Sequence, residues 1–365
     1  MQRDDLYPYP NGPHPNGLPA PAGLYHPSQE HDACGIGFVV NIQGERSHDI
    51  IQKGIQILLN LTHRGACGCD PETGDGAGVL IQIPHELYAK ECRRLGITLP
   101  APGEYGSGLV FLPVEKQQRL ICEGILERIL REEGLELLGW RDMPLDIEAI
   151  GRVARASQPY IEQIFVKRGA GMDQATLERK LYVVRKRAES EIAGSHDIDE
   201  RDKSFFFLPS LSSRTIVYKG LLLAPQILRF FGDLADPDCL SALCMVHQRF
   251  STNTFPTWQL AHPFRYICHN GEINTVKGNA AWMAARQPIL ESPLFGPDIR
   301  KLMPVIQPEG SDSANLDNVV ELLTLAGRPL PHVMAMLIPE AWDADDTMHP
   351  DKRAFYEYHA SLMEP

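Results

Sequence analysis

The spacing of apolar residues divides the chain into an unpatterned leader and a long patterned region. Residues 1–30 hold repeated Pro, Gly and Asn with few apolar side chains, which favours extended or flexible chain. From Cys34 onward, apolar residues recur at the period of strands or of helices. Outside a central block, the predicted strands are 34–42, Val79–Ile83, Ser204–Leu208, Thr215–Leu223, Ala242–Phe250 and Tyr266–Asn270. The predicted helices are Ser47 to about Thr62, Asn274–Arg286, Asn315–Ala326 and His332–Leu337.

A central block, from about residue 109 to 187, has its own β-α-β-β-α order. Its elements are the strand Leu109–Leu112, the helix Val114–Glu133, the strands Leu135–Trp140 and Ile161–Val166, and the helix Gln174–Arg187. This order resembles a ferredoxin-like unit, in which a split β-α-β arrangement carries its helices on one face. The block carries no obvious chemistry, so we interpret it as a structural insert. Strands and helices in separate blocks favour an α+β fold over a doubly wound parallel sheet.

Composition argues against several classes of function. The net charge of −12 argues against a nucleic-acid surface, which needs clustered Lys and Arg. No apolar run approaches the ~20 residues of a membrane span, and the first residues lack the basic and apolar regions of a secretory signal. Eight cysteines are too sparse for a disulfide scaffold in 365 residues, so we expect reduced thiols and a cytoplasmic location.

Cys34 lies where the leader gives way to the first predicted strand. If residues 1–33 are a propeptide that is removed, Cys34 becomes the first residue of the mature chain. Its α-amine, which titrates near ~7.7–8.0, would then accept the proton of its own thiol and so activate a nucleophile. The alternative is that Cys34 is a small buried apolar residue that opens a strand.

A loop dense in glycine, cysteine and charge follows the first predicted helix. His63, Cys67 and Cys69 suggest a metal site, but one Cys-x-Cys pair with one histidine lacks the two spaced ligand pairs of a structural zinc site. The glycines of residues 74–78 match neither phosphate-binding motif and precede a strand rather than a helix. We interpret the loop as one that shapes a pocket beside the first strand.

Three further motifs place charged or hydrogen-bonding groups at the ends of predicted elements. Arg249, followed by hydroxyl residues that include Thr252, suits bidentate capture of a carboxylate. Asn270-Gly271 is foremost a turn signal, but its side-chain amide and unhindered N–H are also the donor pair of an oxyanion hole. Asp312 either belongs to a helix N-cap or holds a substrate ammonium. Singly, each motif has an ordinary structural explanation: a surface arginine, a turn and a cap.

Together and in this order, the motifs closely resemble the class II glutamine amidotransferase domain of glutamate synthase large chains. The resemblance runs from about Gln29 to the last residue. The sequences around Arg249, Asn270 and Asp312 are distinctive of glutamate synthases within the class. The motifs that carry it are Cys34-Gly35-Ile36-Gly37, His63-Arg64-Gly65, Gly74-Asp75-Gly76-Ala77-Gly78, His247-Gln248-Arg249-Phe250-Ser251-Thr252-Asn253-Thr254, His269-Asn270-Gly271-Glu272-Ile273-Asn274 and Gly310-Ser311-Asp312-Ser313-Ala314-Asn315. The central block also resembles the insert of that family.

The resemblance implies an N-terminal-nucleophile hydrolase fold, a four-layer αββα sandwich. It implies that the amidotransferase domain covers residues 34–365 and continues past the last residue. The implied chemistry is glutamine hydrolysis, in which the Cys34 thiolate attacks the side-chain amide and forms a glutamyl thioester. The Asn270 side chain and the Gly271 N–H are the implied oxyanion donors.

The resemblance also implies the substrate-binding residues. Arg249 would hold the α-carboxylate of glutamine, with Thr252 in the same substrate-binding group, and Asp312 would hold the α-ammonium.

The implied cofactors and partners lie beyond this segment. The resemblance implies no cofactor here, but FMN and a 3Fe-4S cluster in downstream synthase domains, which join the ammonia to 2-oxoglutarate. An electron-donating small subunit or ferredoxin is an implied partner, because NADPH, NADH and ferredoxin versions share this domain. Two alternatives stay open. One is another N-terminal-nucleophile amidase or stand-alone glutaminase, and the other is a non-enzymatic domain with Cys34 in its core.

Overall fold

A computed structural model describes residues 35–67, 70–249, 255–269, 273, 276–307 and 310–362. Its strands are β1 (Ile36–Val40), β2 (Ala77–Gln82), β3 (Tyr105–Leu112), β4 (Glu136–Asp142), β5 (Tyr160–Lys167), β6 (Thr215–Gly220) and β7 (Leu243–Gln248). Its helices are α1 (His48–Asn60), α2 (His85–Arg94), α3 (Lys116–Glu132), α4 (Arg152–Ala156), α5 (Gln174–Gly194), α6 (Glu200–Lys203), α7 (Ile227–Phe230), α8 (Val276–Arg286), α9 (Asp312–Leu325), α10 (Leu330–Leu337) and α11 (Pro350–Leu362). The described residues are therefore α+β.

The first sheet has four antiparallel strands in the order β1-β7-β2-β6. β7 lies between two neighbours, with His247 opposite Ile36 of β1 on one side and Gly78 of β2 on the other. Because β7 runs antiparallel to both, its carboxyl end meets the beginning of β1 and the beginning of β2. The Gln248 N–H extends this pairing by donating to the Gly35 carbonyl at 2.8 Å.

Helix α1 covers one face of this sheet. Its N-cap is Ser47, as the sequence predicts, and the Ser47 hydroxyl accepts a hydrogen bond from the Ile50 N–H. The helix approaches β7 closely at Gly54, where a Cβ would lie 2.1 Å from the Cys244 Sγ. A glycine at this position therefore sets the distance between the helix and the sheet.

The opposite face of the sheet is exposed in one half and covered in the other. Phe38 and Val40 of β1 point to this face and are 65% and 46% exposed. Toward the carboxyl end of β7, the same face carries His247 and, across β2, Lys219 of β6, and both side chains are buried. Residues 259–269 cover that half, since Lys219 donates to the carbonyl at position 259 and His247 stacks on the histidine at position 262.

The second sheet is three-stranded and antiparallel, with β5 between β3 and β4. β3 and β4 are therefore parallel to each other, and α3 connects them as a split β-α-β unit. Val110 and Ile164 on one face pack in a cluster with α3 and α5, whereas Phe111 and Phe165 on the other face join the main core. The predicted β-α-β-β-α order of this block is confirmed, with the short helix α4 added before β5.

Two predicted strands are wrong. Residues 204–208 form only a single bridge, from Phe207 to Phe111, because the preceding N–H groups close turns after α6. The described part of Tyr266–Asn270 is not a strand, because the N–H groups of Tyr266 and Ile267 donate to the Asp317 carboxylate instead of to a neighbouring strand.

The remaining predicted elements are present in the described residues with shifted ends. The largest shifts are at α5, which ends at Gly194 rather than Arg187, and at β3, which begins at Tyr105 rather than Leu109. The pattern analysis did not predict α2 or the short helices α4, α6 and α7. No helix among the described residues is long and apolar enough to cross a membrane.

One buried ion pair joins the two sheets. Two guanidinium nitrogens of Arg141, on β4, donate to the Asp233 carboxylate at 2.8 Å each, and the Tyr218 hydroxyl of β6 donates to the same carboxylate at 3.3 Å. Both charged side chains are nearly inaccessible to water. A pair of this kind stabilises the fold only while both partners are present.

We expect Asp233→Asn to destabilise the domain by about 3 kcal/mol, because the buried Arg141 guanidinium would lose its closest carboxylate and keep only Glu91, 3.5 Å away. Urea unfolding measures the change. Asp49→Asn is the matched control, since the Asp49–Lys53 pair is about 60% exposed and such pairs add little stability. Equal losses in the two variants would contradict the assigned role of the buried pair.

Candidate functional site

Two of the six predicted site residues lie in the described part of the chain. Arg249 directly follows β7, and Asp312 is the first residue of α9. The other four, which lie outside the described residues, are Cys34, Thr252, Asn270 and Gly271.

The backbone of Arg249 is held by the glycine-rich loop that precedes β2. The Arg249 N–H donates to the Gly76 carbonyl at 2.8 Å, and the Arg249 carbonyl accepts from the Ala66 N–H at 3.3 Å. Gly76 has a φ of +139°, which is a conformation that L-residues rarely adopt. The loop therefore lies against the carboxyl end of β7, beside Gly35.

The Arg249 guanidinium is buried and lies in the field of two carboxylates. One of its terminal nitrogens donates to the Leu260 carbonyl at 2.7 Å. Burial lowers the pKa of Arg249, and the carboxylates of Asp75 and Asp312 act in the opposite direction. Arg249 and Asp312 are thus close enough to interact electrostatically, although 63 positions separate them in the sequence.

Asp312 is not the cap of α9. The cap is Ser311, whose hydroxyl accepts the Ala314 N–H at 3.2 Å. The Asp312 carboxylate accepts the Ser313 N–H at 2.6 Å and the Ile273 N–H at 3.2 Å. The carboxylate therefore lies at the positive end of the helix, and it also fixes the chain just after Asn270-Gly271.

Asp317 is a buried residue of α9 that motif analysis did not single out. Its Oδ1 atom accepts the N–H groups of Tyr266 and Ile267 at 2.8 and 3.0 Å. Its Oδ2 atom accepts the Arg265 N–H at 3.3 Å and forms an ion pair with the Arg265 guanidinium, whose nearest nitrogen is 2.9 Å away. The available sequence signal was the polar set Asp317, Asn318 and Glu321 within an otherwise apolar helix, which indicates a buried polar face.

A cavity of about 790 Å³ opens between β7 and helices α8, α9 and α10. The lining includes the carboxylate-bearing Asp312, the residues Cys268 and His269, and Met245 of β7. Most of the remaining lining is apolar. The cavity is therefore mostly apolar, and Asp312 of the predicted site lies in its lining.

Three potential metal ligands lie together under the carboxyl end of β7. The ligand atoms of His247, His262 and Cys268 all lie within 4.8 Å of one another. However, the two imidazole rings are stacked, with centroids 4.6 Å apart and an angle of 25° between their planes. A metal ion lies in the plane of an imidazole that binds it, so two stacked rings do not converge on one ion. We interpret the group as packing under the site rather than as a metal centre.

Burial lowers the pKa of His262 well below its usual value, and the neighbouring His247, Lys219, Arg249 and His269 lower it further. The unfolded chain takes up a proton near pH 6.5, whereas the folded chain does so only at a lower pH. Protonation below pH 6.5 therefore favours the unfolded state, so the stability contribution is present above pH 6.5 and is lost as the pH falls.

We expect the free energy of unfolding to fall by about 1 kcal/mol more in the parent protein than in a His262→Gln variant between pH 7.5 and pH 5.5. Urea unfolding at the two pH values measures this difference. His196→Gln, at an exposed position, should keep the parent pH dependence. The same slope in the parent and in His262→Gln would show that His262 does not carry the effect.

A family model shows the class of protein to which this chain belongs. The family model described as glutamine amidotransferases class-II matches residues 34–365, so the chain belongs to the class II glutamine amidotransferases. The matched region begins at Cys34, the residue before Gly35 at the end of the sheet where Arg249 lies.

Within the class, the chain is similar to glutamate synthases. It is 47% identical over 351 residues to the NADPH glutamate synthase large chain of Bacillus subtilis, covering 96% of this chain and 22% of that protein. It is 40% identical over 361 residues to the NADH glutamate synthase of Saccharomyces cerevisiae, covering 96% and 16%. It is 38% identical over 340 residues to the ferredoxin-dependent glutamate synthase of Pyropia yezoensis, covering 92% and 22%. The chain thus spans less than a quarter of the length of these relatives.

Proposed function

We propose that this chain hydrolyses L-glutamine to L-glutamate and ammonia with Cys34 as nucleophile. The observation that carries the proposal is that a buried arginine lies in the electrostatic field of a carboxylate at one end of the first sheet. A buried guanidinium follows β7, and a carboxylate at the start of α9 is near enough to shift its pKa. A free amino acid carries the complementary pair, an α-carboxylate and an α-ammonium.

Arg249 and Asp312 take the binding roles in this proposal. The planar guanidinium of Arg249 holds the α-carboxylate through two N–H donors, and the Asp312 carboxylate accepts from the α-ammonium. Thr252 completes the binding group as a hydroxyl partner. Because Arg249 is buried, its interaction with the substrate is little screened by water.

Cys34 takes the catalytic role because of its place in the chain. The described pairing of β1 with β7 reaches Gly35, whose carbonyl accepts the Gln248 N–H. Cys34 immediately precedes Gly35 in the sequence. Its amine becomes available as a base only when the bond between Ala33 and Cys34 has been cleaved, and we propose residues 1–33 as the propeptide.

The reaction then proceeds in two steps. The α-amine of Cys34 takes the thiol proton, the sulfur attacks the amide carbon, and the C–N bond breaks as the amine returns the proton to the leaving ammonia. Water then attacks the glutamyl thioester, the C–S bond breaks, and glutamate leaves. The Asn270 amide and the Gly271 N–H stabilise the oxyanion in both steps, and loss of one such donor typically costs 10²–10³ in kcat.

We also propose that the ammonia is used elsewhere in a longer protein, as the names of the relatives suggest. There it would be joined to 2-oxoglutarate, with FMN and a 3Fe-4S cluster and with electrons from NADPH, NADH or ferredoxin. The three-ligand group of His247, His262 and Cys268 has a single thiol, which does not fit a cluster held by cysteine thiolates. We propose that the redox chemistry belongs to the downstream domains and that the protein works in the cytoplasm.

The same proposal extends to the fold. A four-layer αββα sandwich would place a second sheet on the exposed face of the first, where Phe38 and Val40 lie. The block of residues about 109–187 would be a ferredoxin-like insert. Its split β3-α3-β4 connection supports this, as do Phe207 and Ser212, which each form a single bridge to β3 on the side away from β5. A crystal structure of the full-length protein tests both points.

A diazo-ketone analogue of glutamine, 6-diazo-5-oxo-L-norleucine, tests the proposed nucleophile. We expect the mature full-length protein to lose its glutaminase activity as one equivalent of the analogue adds to Cys34, located by peptide mass spectrometry. An excess of glutamine should slow the labelling. Labelling elsewhere, or an uncleaved Ala33–Cys34 bond in active protein, would contradict the proposal.

We expect Arg249→Lys to raise the KM for glutamine by about 10- to 100-fold, since an ammonium cannot replace both N–H donors of the guanidinium. Steady-state glutaminase assays measure KM and kcat separately. The matched control is Arg229→Lys, because Arg229 is 61% exposed in a surface pair with Asp146. An unchanged KM in Arg249→Lys would remove Arg249 from the binding site.

A further inference from the structure

We infer that Asp317 is a positioning residue for the oxyanion loop, a name used for the described residues 265–269 and 273 on either side of the predicted oxyanion donors. Resting on the proposed function, this inference adds a residue for which neither the sequence motifs nor the comparisons give a role. Asp317 lies on α9 and the loop lies 44 or more positions earlier in the chain, so the contact is a tertiary one.

The amino-terminal side of the loop is held by the Asp317 carboxylate. This side chain is fully buried, yet it pairs with four donors of the loop: the N–H groups of Arg265, Tyr266 and Ile267 and the Arg265 guanidinium. A carboxylate that accepts consecutive backbone N–H groups fixes the direction of the chain as well as its position. This contact also explains why the segment is not the strand that its apolar pattern predicts.

The carboxyl-terminal side of the loop is held by the first turn of the same helix. The Asp312 Oδ2 atom accepts the Ile273 N–H at 3.2 Å. Between the two anchors, the Ser313 hydroxyl lies 3.0 Å from the His269 Nε2 atom. Asn270 and Gly271 follow His269 directly, so α9 holds the chain on both sides of the predicted oxyanion donors.

Arg265 links this clamp to the central block. Its guanidinium contacts Glu321 at 2.9 Å and Asn318 at 2.6 Å as well as Asp317. Glu321 in turn accepts a hydrogen bond from Arg185 of α5, which is also buried. The block interpreted as a structural insert therefore supports the back of α9, the helix that carries the clamp.

Displacement of this loop should weaken stabilisation of the transition state more than binding of the substrate. Oxyanion donors act on the charge that develops as sulfur attacks, and a displacement of about 1 Å can cost roughly 100-fold in rate. Arg249 and Asp312 would still hold glutamine, so binding is expected to persist. The Cys34 thiol would still be present and reactive.

The test compares Asp317→Asn with Asp233→Asn in the mature full-length protein. Both substitutions take one carboxylate from a buried arginine that keeps a second, Glu321 for Arg265 and Glu91 for Arg141. Asp233, however, pairs with Arg141 away from the loop. We expect a kcat for glutamine hydrolysis about 10- to 100-fold lower in Asp317→Asn, with KM changed less than threefold. We expect unchanged alkylation of Cys34 by iodoacetamide. Asp233→Asn should lower the melting temperature but not kcat.

Ser313→Ala is the second variant, and it removes only the hydroxyl that contacts His269. We expect it to fold normally and to lower kcat several-fold without raising KM. Equal kcat values in the parent, Asp317→Asn and Ser313→Ala would overturn the inference and leave the proposed function intact. A parent protein without Cys34-dependent glutaminase activity would instead overturn the proposed function.

Discussion

The antiparallel pairing of β7 with both β1 and β2 is the constraint on which the rest of the site depends. It brings the carboxyl end of β7, Gly35 and the glycine-rich loop before β2 to one end of the sheet. A shift by one residue would turn His247 to the opposite face and move Arg249 away from Gly76. The register is fixed by close packing, since a Cβ at Gly37 would lie 2.2 Å from Ile57 of α1. Packing in the core thus fixes the register that places Arg249 beside Gly76.

Helix α9 carries Asp312 of the candidate site at its first turn and buried charged residues further along. Its first turn carries the Asp312 carboxylate at the positive end of the helix, where a negative charge is stabilised. Its second turn carries Asp317 and, further on, Glu321, which are buried among arginines. Buried charges of this kind contribute little net stability compared with apolar residues. Their presence here is explained by the need to fix a loop whose backbone donors have no neighbouring strand.

The sequence predicted well those features that depend on local pattern. A hydroxyl before apolar residues at helical spacing predicts Ser47 as a cap, and a run of apolar residues predicts β7. The helix α5 continues past its predicted end at Arg187 to Gly194, with Ala188 and Ile192 buried, although the polar residues 189–191 interrupt the apolar pattern there. The helix α2 was missed because most of its ten residues are polar.

The failures at Tyr266–Asn270 and Asp317 have a common physical origin. An apolar stretch forms a strand only if a neighbouring strand accepts its hydrogen bonds, and here a carboxylate 51 positions from Tyr266 accepts them. No local pattern carries that information. The candidate roles of Arg249 and Asp312, by contrast, came from the order of the motifs, and the structure adds that these two charges interact.

The central claim is that Cys34 forms a covalent intermediate with glutamine at this edge of the sheet. Rapid acid quenching during turnover of radiolabelled glutamine, followed by peptide mapping, measures it directly. We predict a hydroxylamine-sensitive glutamyl thioester on the peptide that begins with Cys34, and no such label in Cys34→Ala. Label on another cysteine such as Cys268, or turnover that persists in Cys34→Ala, would contradict the account.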